Sequence, residues 1–409
     1  MVGAAKRRVA LAGTGHRGAG TWGKELVANC AEWVELVGLC DANALRLARA
    51  REAIGTAAPA FTDLREMLDN TRPDTLVVAT RDDTHADIVV AALEAGVDVV
   101  VEKPMATTAE GCRRILAAEL SSGRRVDVGF NYRFSPTAEK IKELLLSDAI
   151  GEVASVDFHW FLDVKHGADY FRRWHAKAEH SGSLFVHKAT HHFDLLNWCL
   201  GSEPDEVFAR AALHHYGSRG PFRGVRCKTC PHSGECPHYF DVGKDPWLDM
   251  LYEAPSAEDG YFRDACVFRE EIDIPDTMSA SIRFENGVQA TWSLNTFMPI
   301  EGYHLAFNGA RGRLEIRQYE RQPWHSGDAD EILLIRNFGR AERFRVKHRA
   351  GGHFGGDPAM QRRLFAAAEP DPLGQRAGSM AGALSVLTGV AAKESARTGL
   401  PVKVKPLLQ

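Results

Sequence analysis

Three sets of residues in this 409-residue chain have types and spacings that could do chemistry. The first is Gly13-x-Gly15-x-x-Gly18, which follows the apolar run Arg8 to Ala12 and opens a stretch of helical character from about Ala19 to Asn29. At such a junction the first glycine permits a tight turn, the second lets the backbone approach a pyrophosphate, and the third allows helix to pack on strand. The free amides and positive dipole end of the helix then face the anion. Thr14, His16 and Arg17 fill the turn. A second apolar run, Glu35 to Cys40, ends in Asp41, where a carboxylate accepts both adenosine ribose hydroxyls and repels a 2′-phosphate. These positions predict a dinucleotide site preferring NAD to NADP, and Arg46 is the residue that argues the other way.

The second set could move a proton. Lys103, in Glu102-Lys103-Pro104, ends the apolar run Asp98 to Val101. A lysine at a strand end in a closed site has its pKa lowered and serves as acid or base, whereas the plainer alternative is a surface lysine before a turn-forming proline. His187 and His191, four residues apart on a predicted helix, share one face and should both point toward Lys103. They could act as bases for a hydroxyl, with Lys188 adding positive charge. Two other readings stay open: a zinc chelate, for which no third ligand is evident nearby, or a core His187 with a solvated His192. Just upstream, Arg172-Arg173-Trp174 joins groups suited to an anion with a face suited to a sugar ring, or else forms a basic surface loop.

The third set is Cys227, Cys230, Cys236 and Cys266. A C-x2-C knuckle with two further thiols has the arithmetic of a tetrahedral metal site, and zinc in a structural role is the expectation. An iron-sulfur cluster, replacement of Cys266 by His232 or His238, and unliganded thiols are the alternatives.

The elements that must position these residues follow from the pattern of the chain. With 44% hydrophobic and 25% charged residues and a formal charge of −4, it is an ordinary globular composition, which excludes nucleic acid or membrane as an obligatory partner. No apolar run approaches the roughly 20 residues that span a bilayer. The N-terminus, beginning Met1-Val-Gly-Ala, meets the first strand at once and leaves no room for a signal peptide, so a cytoplasmic location with reduced thiols is expected. Up to Gly129, apolar runs at Arg8 to Ala12, Glu35 to Cys40, Thr75 to Ala79, Asp98 to Val101 and Arg125 to Val128 alternate with helical stretches, the pattern of a doubly wound parallel sheet. Thr80 and His85 leave the third run at the carboxyl edge, where such folds place ligands. Seven further strand patterns begin at Val153 and end at Ile335.

Together, Gly13, Gly15, Gly18 and Glu102-Lys103-Pro104 resemble the Gfo/Idh/MocA oxidoreductases, and the likeness runs nearly end to end. It implies an α/β N-terminal Rossmann domain over residues 1–150 and an α+β C-terminal domain over 151–409 with a large, mostly antiparallel open sheet. The cysteines then fall in an insertion at about 214–270. It further implies that Lys103 lies beside the nicotinamide and that His191 contacts the reacting hydroxyl. Tyr132 and Arg133 would overlook the substrate, Tyr132 as a second acid or base and Arg133 as a binding group, while Asp194 matches the family aspartate one turn past the histidine. This chain departs from the family pattern in carrying His187 where many members have an aspartate. The function expected is hydride transfer at the hydroxyl of a small sugar or glycoside, by a homo-oligomer, dimer or tetramer, built through the C-terminal sheet. The histidine-rich helix, the cysteines and the arginine-aromatic stretch resemble the branch of NAD-dependent glycosidases, which cleave glycosides such as sulfoquinovosides without net redox change. A simple sugar or inositol dehydrogenase, and a non-catalytic NAD-binding sensor or scaffold, are the alternatives.

Overall fold

The computed structural model describes residues 5–325, 327–366 and 370–409. The expectation about a signal peptide falls on Met1 to Ala4, outside the described residues. The short apolar runs form a parallel sheet of β1 (Arg7–Ala12), β2 (Val34–Cys40), β3 (Ala60–Phe61), β4 (Thr75–Val78), β5 (Asp98–Val101) and β6 (Val126–Val128), ordered β3-β2-β1-β4-β5-β6. All four residues of β4 are buried, which is why this strand reads as continuously apolar. Strand order reverses between β1 and β4, opening a crevice at their carboxyl ends. The two-residue β3 carries no periodicity and was invisible to pattern reading.

From β7 onward the chain builds a nine-stranded sheet. Its strands are β7 (Val153–Asp163), β8 (Pro204–Ala212), β9 (Thr277–Phe284), β10 (Gln289–Met298), β11 (Glu301–Gly309), β12 (Gly312–Arg321), β13 (Ala329–Arg336), β14 (Ala341–Lys347) and β15 (Val402–Lys403). Their order is β14-β13-β12-β11-β7-β10-β9-β8-β15, with β7 and β10 parallel and the other pairs antiparallel. Along β9 and β10, Met278, Ile282, Trp292 and Leu294 turn inward while Ser279, Ser281 and Arg283 face outward, the alternation of a half-covered sheet. The edge strand β14, Ala-Glu-Arg-Phe-Arg-Val-Lys, is too charged to signal itself.

The final helix, Ser379–Thr398, fastens the two sheets together. Ala383 and Val386 join Val101, Met105, Val128 and Val186 in the core of the first sheet, while Leu387 and Ala391 join Trp292 and Phe185 in the core of the second. Gly389 makes this possible, because a β-carbon there would lie 2.3 Å from the carbonyl oxygen of Phe185 in the short helix Leu184–His187. Among the described residues no helix is long and apolar enough to cross a membrane.

Candidate active site

At the carboxyl end of β1 the chain turns at Gly13 with φ +90°, and a β-carbon on Gly18 would sit 1.9 Å from the Gly13 carbonyl oxygen, so glycine is required for the turn to close. Asp41 stands at the end of β2, where its carboxylate accepts the Thr14 amide at 2.8 Å, the Thr14 hydroxyl at 3.0 Å and the Asn43 amide at 3.0 Å. The Gly15 side is open except for the Tyr252 hydroxyl, which accepts the His16 amide at 2.7 Å. A turn bare of side chains, an outward amide and a carboxylate at the end of the next strand fit a dinucleotide.

The proton-handling residues meet one layer away, past β4 and β5. Lys103 Nζ donates to the carbonyl of His187 at 3.1 Å. Burial lowers the Lys103 ammonium to about 8, with the neighbouring Asp82 opposing that shift and Lys188 adding to it. Nδ1 of His187 lies 2.5 Å from Oδ2 of Asp82, in the turn after β4. Burial disfavours charge on both partners, raising Asp82 and lowering His187, and Lys103 lowers His187 further. Burial also depresses His191, with help from Lys103 and Lys188, and its buried Nδ1 has no hydrogen-bond partner among the described residues. The His191 ring meets Tyr132 edge-on at 4.7 Å. Lys188 Nζ sits 4.7 Å above the Trp160 ring and 5.8 Å from that of Tyr132. His175 packs 4.1 Å from His187 and Trp174 stacks on His175, so these two rings wall the same cluster.

A family model described as "Oxidoreductase family, NAD-binding Rossmann fold" matches residues 7–130, and one described as "GFO/IDH/MocA C-terminal domain" matches residues 138–315. The chain belongs to the Gfo/Idh/MocA family. It is therefore an NAD-dependent oxidoreductase by family, with an NAD(H)-binding Rossmann domain. It is 37% identical to an oxidoreductase-family protein of Bacillus subtilis (strain 168), YteT, over 98% of this chain and 99% of that one. Inositol 2-dehydrogenase 2 of Saccharopolyspora erythraea is 32% identical over 42% of this chain and 50% of its own length, so this chain spans about half of that relative. The fold matches a levoglucosan dehydrogenase solved with NADH and levoglucosan, at a TM-score of 0.72 and 18% identity, covering 98% of this chain and 100% of that one.

Several residues that the sequence offered to this Gfo/Idh/MocA site are engaged elsewhere. Arg17 does not wait for a phosphate: it pairs with Glu102 at 2.6 Å and Asp357 at 2.7 Å, and Glu102 in turn accepts the Trp22 indole. His85 places Nδ1 2.8 Å from the Pro104 carbonyl and Nε2 3.3 Å from that of Thr80, and so braces the turn carrying Lys103. The Thr80 hydroxyl lies 2.7 Å from that of Thr84. Arg133 is tied to Asp194 at 2.5 Å in a buried pair, and Arg172 to the carbonyl of His238 inside the insertion, so neither guanidinium is free for substrate. Arg173 pairs with Asp169 at 3.2 Å. His192 is not solvated but stacks on Trp160 and accepts the Trp292 indole. Arg46, the counter-argument to NAD, is held by Asp259 at 2.5 Å and by the Leu251 carbonyl at 3.2 Å.

The loop Gly351 to Gly356 offers His353 as a residue that could line a site, and its ring sits 5.4 Å from Tyr132 with Nδ1 2.8 Å from the Asp357 carboxylate; pattern reading missed Asp82, His175 and Asp357. Asp82 had a signal, since it stands at the carboxyl edge in Thr80-Arg-Asp-Asp-Thr-His85. Asp357 had only His353 four residues before it, because its other partners, Arg17 and Asn131, are hundreds of residues away. The four cysteines line one small cavity together with Arg172 and His238, but among the described residues no three His, Cys, Asp or Glu side chains are placed to hold a metal. Arg172 and Arg226 also line that cavity, Arg172 with Nη1 3.5 Å from Cys227 Sγ, and burial holds the Cys227 and Cys236 thiols up toward their neutral forms.

The Arg133–Asp194 pair braces the helix Ala189–Leu200 that carries His191. Because removing one partner strands a buried charge, Asp194→Ala should destabilise the fold by about 3–5 kcal/mol in urea unfolding, and a change below about 1 kcal/mol would show the pair carries no such strain.

Proposed function

We propose that this Gfo/Idh/MocA enzyme is an NAD-dependent dehydrogenase of a sugar or cyclitol hydroxyl. The observation that carries the reading is the convergence of Lys103, His187 and His191 beside the dinucleotide turn, with Tyr132 and Trp174 as ring faces. The names of the inositol and levoglucosan dehydrogenases support the substrate class. Bound NAD would be held by the turn at Gly13, Gly15 and Gly18 and by Asp41, and it supplies the hydride acceptor. Lys103, neutral above about pH 8, takes the hydroxyl proton directly or through His191. Asp82 fixes the ring of His187, which orients a neighbouring hydroxyl, and Lys188 draws an anionic substituent toward Trp160.

A redox-neutral glycoside cleavage is the second reading, and the Asp82–His187 pair favours it. That route oxidises C3, removes the acidified C2 proton, expels the C1 substituent, adds water and returns the hydride. A histidine held by a carboxylate is the kind of base the C2 step needs. Because Arg172 and Arg133 are engaged elsewhere, the anion preference behind a sulfoquinovoside rests on Lys188 and Lys103 alone.

Activity should be measured on a panel of sugars, cyclitols and nitrophenyl glycosides, following NADH and phenol together. The dehydrogenase forms NADH at the turnover rate without phenol; release of phenol with little NADH and with C2 deuterium uptake from solvent establishes the glycosidase. In the oxidative direction kcat/KM should rise with pH and level off above about 8, because the base must lose its proton first. Lys103→Ala and His191→Ala should each lower kcat about 10²- to 10⁴-fold with NAD affinity nearly unchanged. Activity within threefold of the parent in both variants would reject the assignment.

Two structural readings accompany this one. C-x2-C spacing and the shared cavity support a tetrahedral zinc on Cys227, Cys230, Cys236 and Cys266, reached by a small closing movement. Metal analysis of protein purified without added metal should then find about one zinc per chain, whereas four freely titratable thiols and no zinc reject it. We also take 1–150 and 151–409 as the two domains and the outward face of β9 and β10 as a homo-oligomer interface. Light scattering should give twice or four times the chain mass of 45.1 kDa, and a monomer would refute the interface.

A further inference from the structure

The insertion does more than carry cysteines: its second half lies on the dinucleotide site. Val242, Leu248, Leu251 and Tyr252 share an apolar cluster with Ala19 and Ala50 of the Rossmann domain, flanked by Trp247, Met250 and Tyr261. Polar ties run along the same seam. Arg46 bonds Asp259 and the Leu251 carbonyl; the Asn43 side chain donates to the Pro255 carbonyl at 2.8 Å and to Asp259 at 2.9 Å; Glu258 accepts the Leu45 amide at 3.2 Å. A lid resting on water alone would show neither an apolar seam nor an ion pair anchored on a buried arginine.

The residue this seam delivers to the turn is Tyr252. Its ring is buried between the guanidinium groups of Arg46 and Arg263, whose carbons lie 5.5 and 5.7 Å from the ring centre, and its hydroxyl rests on the His16 amide beside Gly15. Arg263 and Arg173 share the single carboxylate of Asp169, and both guanidinium groups, with Asp169 and Asp245 opposing them, act on His16 in the turn. Burial and those two arginines depress His16 to about 4, so His16 itself stays neutral. A hydroxyl and two guanidinium groups, fixed beside the glycine turn, are the chemistry of a diphosphate clamp.

We propose that residues 240–261 form a cofactor clasp, in which the Tyr252 hydroxyl donates to the diphosphate of the bound pyridine dinucleotide and the Arg46–Asp259 pair latches the segment over the adenosine end. In the free protein the hydroxyl accepts the His16 amide, which leaves its own proton free to donate to a diphosphate oxygen lying alongside the turn. The clasp makes release of the dinucleotide slow. This depends on the family dinucleotide site and not on which hydroxyl is oxidised, so it is tested without substrate.

The test is NADH binding and displacement, followed by fluorescence in stopped flow, for the parent, Tyr252→Phe and Asp259→Ala, each checked for an unchanged melting curve. Tyr252→Phe should raise both Kd and the release rate about tenfold, the loss expected for one hydrogen bond to a charged group. Asp259→Ala should raise the release rate and bring NADPH affinity closer to that of NADH, since Arg46 is freed. Unchanged or tighter NADH binding by Tyr252→Phe would overturn the proposal, showing the hydroxyl to be a bystander or a competitor. Hydrogen exchange on the parent gives an independent reading if a variant folds poorly: saturating NADH should slow exchange across 242–261, and no change there overturns the clasp.

Discussion

The arrangement depends on one piece of packing, the insertion of Val186 into the core of the first sheet. Val186 belongs to a helix of the second half, yet it is buried against Met105 and Val101 and roofed by Val386 of the final helix. That contact sets the height of the helix Leu184–His187 above β5, and hence brings the His187 carbonyl within reach of Lys103. Apolar burial supplies the energy, and the polar groups ride on it. Because packing of this density tolerates shifts of only a few tenths of an ångström, the proton-transfer geometry inherits the precision of the core.

Around that contact the charges are arranged to be costly but compensated. Lys103 and Lys188 stand among four histidines, and acids answer them from several elements: Asp82 after β4, Glu301 on β11 and Glu320 on β12. Asp357 accepts Arg17 of the glycine turn with both oxygens and meets His353 through one of them, so the cofactor turn and the aromatic wall at Tyr132 share one carboxylate. Buried charges of this kind are tolerated where each has a partner.

Much of the fold was legible. Five parallel strands and seven of the second sheet lie where the apolar runs put them, since a strand buried on both faces or on alternate residues writes its environment into its sequence. Strands without such a signature, the two-residue β3, the charged β14 and the terminal β15, were not legible. The site was legible where a residue sits in a local motif, as Lys103 and Asp41 do. It was not legible where a pairing spans the chain: nothing local says that Arg133 is bound to Asp194, that Arg46 meets Asp259, or that His187 meets Asp82. Residue type names the chemistry a side chain can offer, and the partner decides whether that chemistry is available.

The final helix has a consequence in time as well as in space. Ala383 and Val386, which complete the core beside Val101 and Val128, lie more than 250 positions further along the chain, and the Val128 amide itself waits for the carbonyl of Ala377. During synthesis the nucleotide-binding half therefore leaves the ribosome with one flank of its sheet bare, and stays so until the last helix arrives. The two halves are not beads on a string but a loop closed by its own tail, and a chain cut short before residue 379 loses the seal of the part made first.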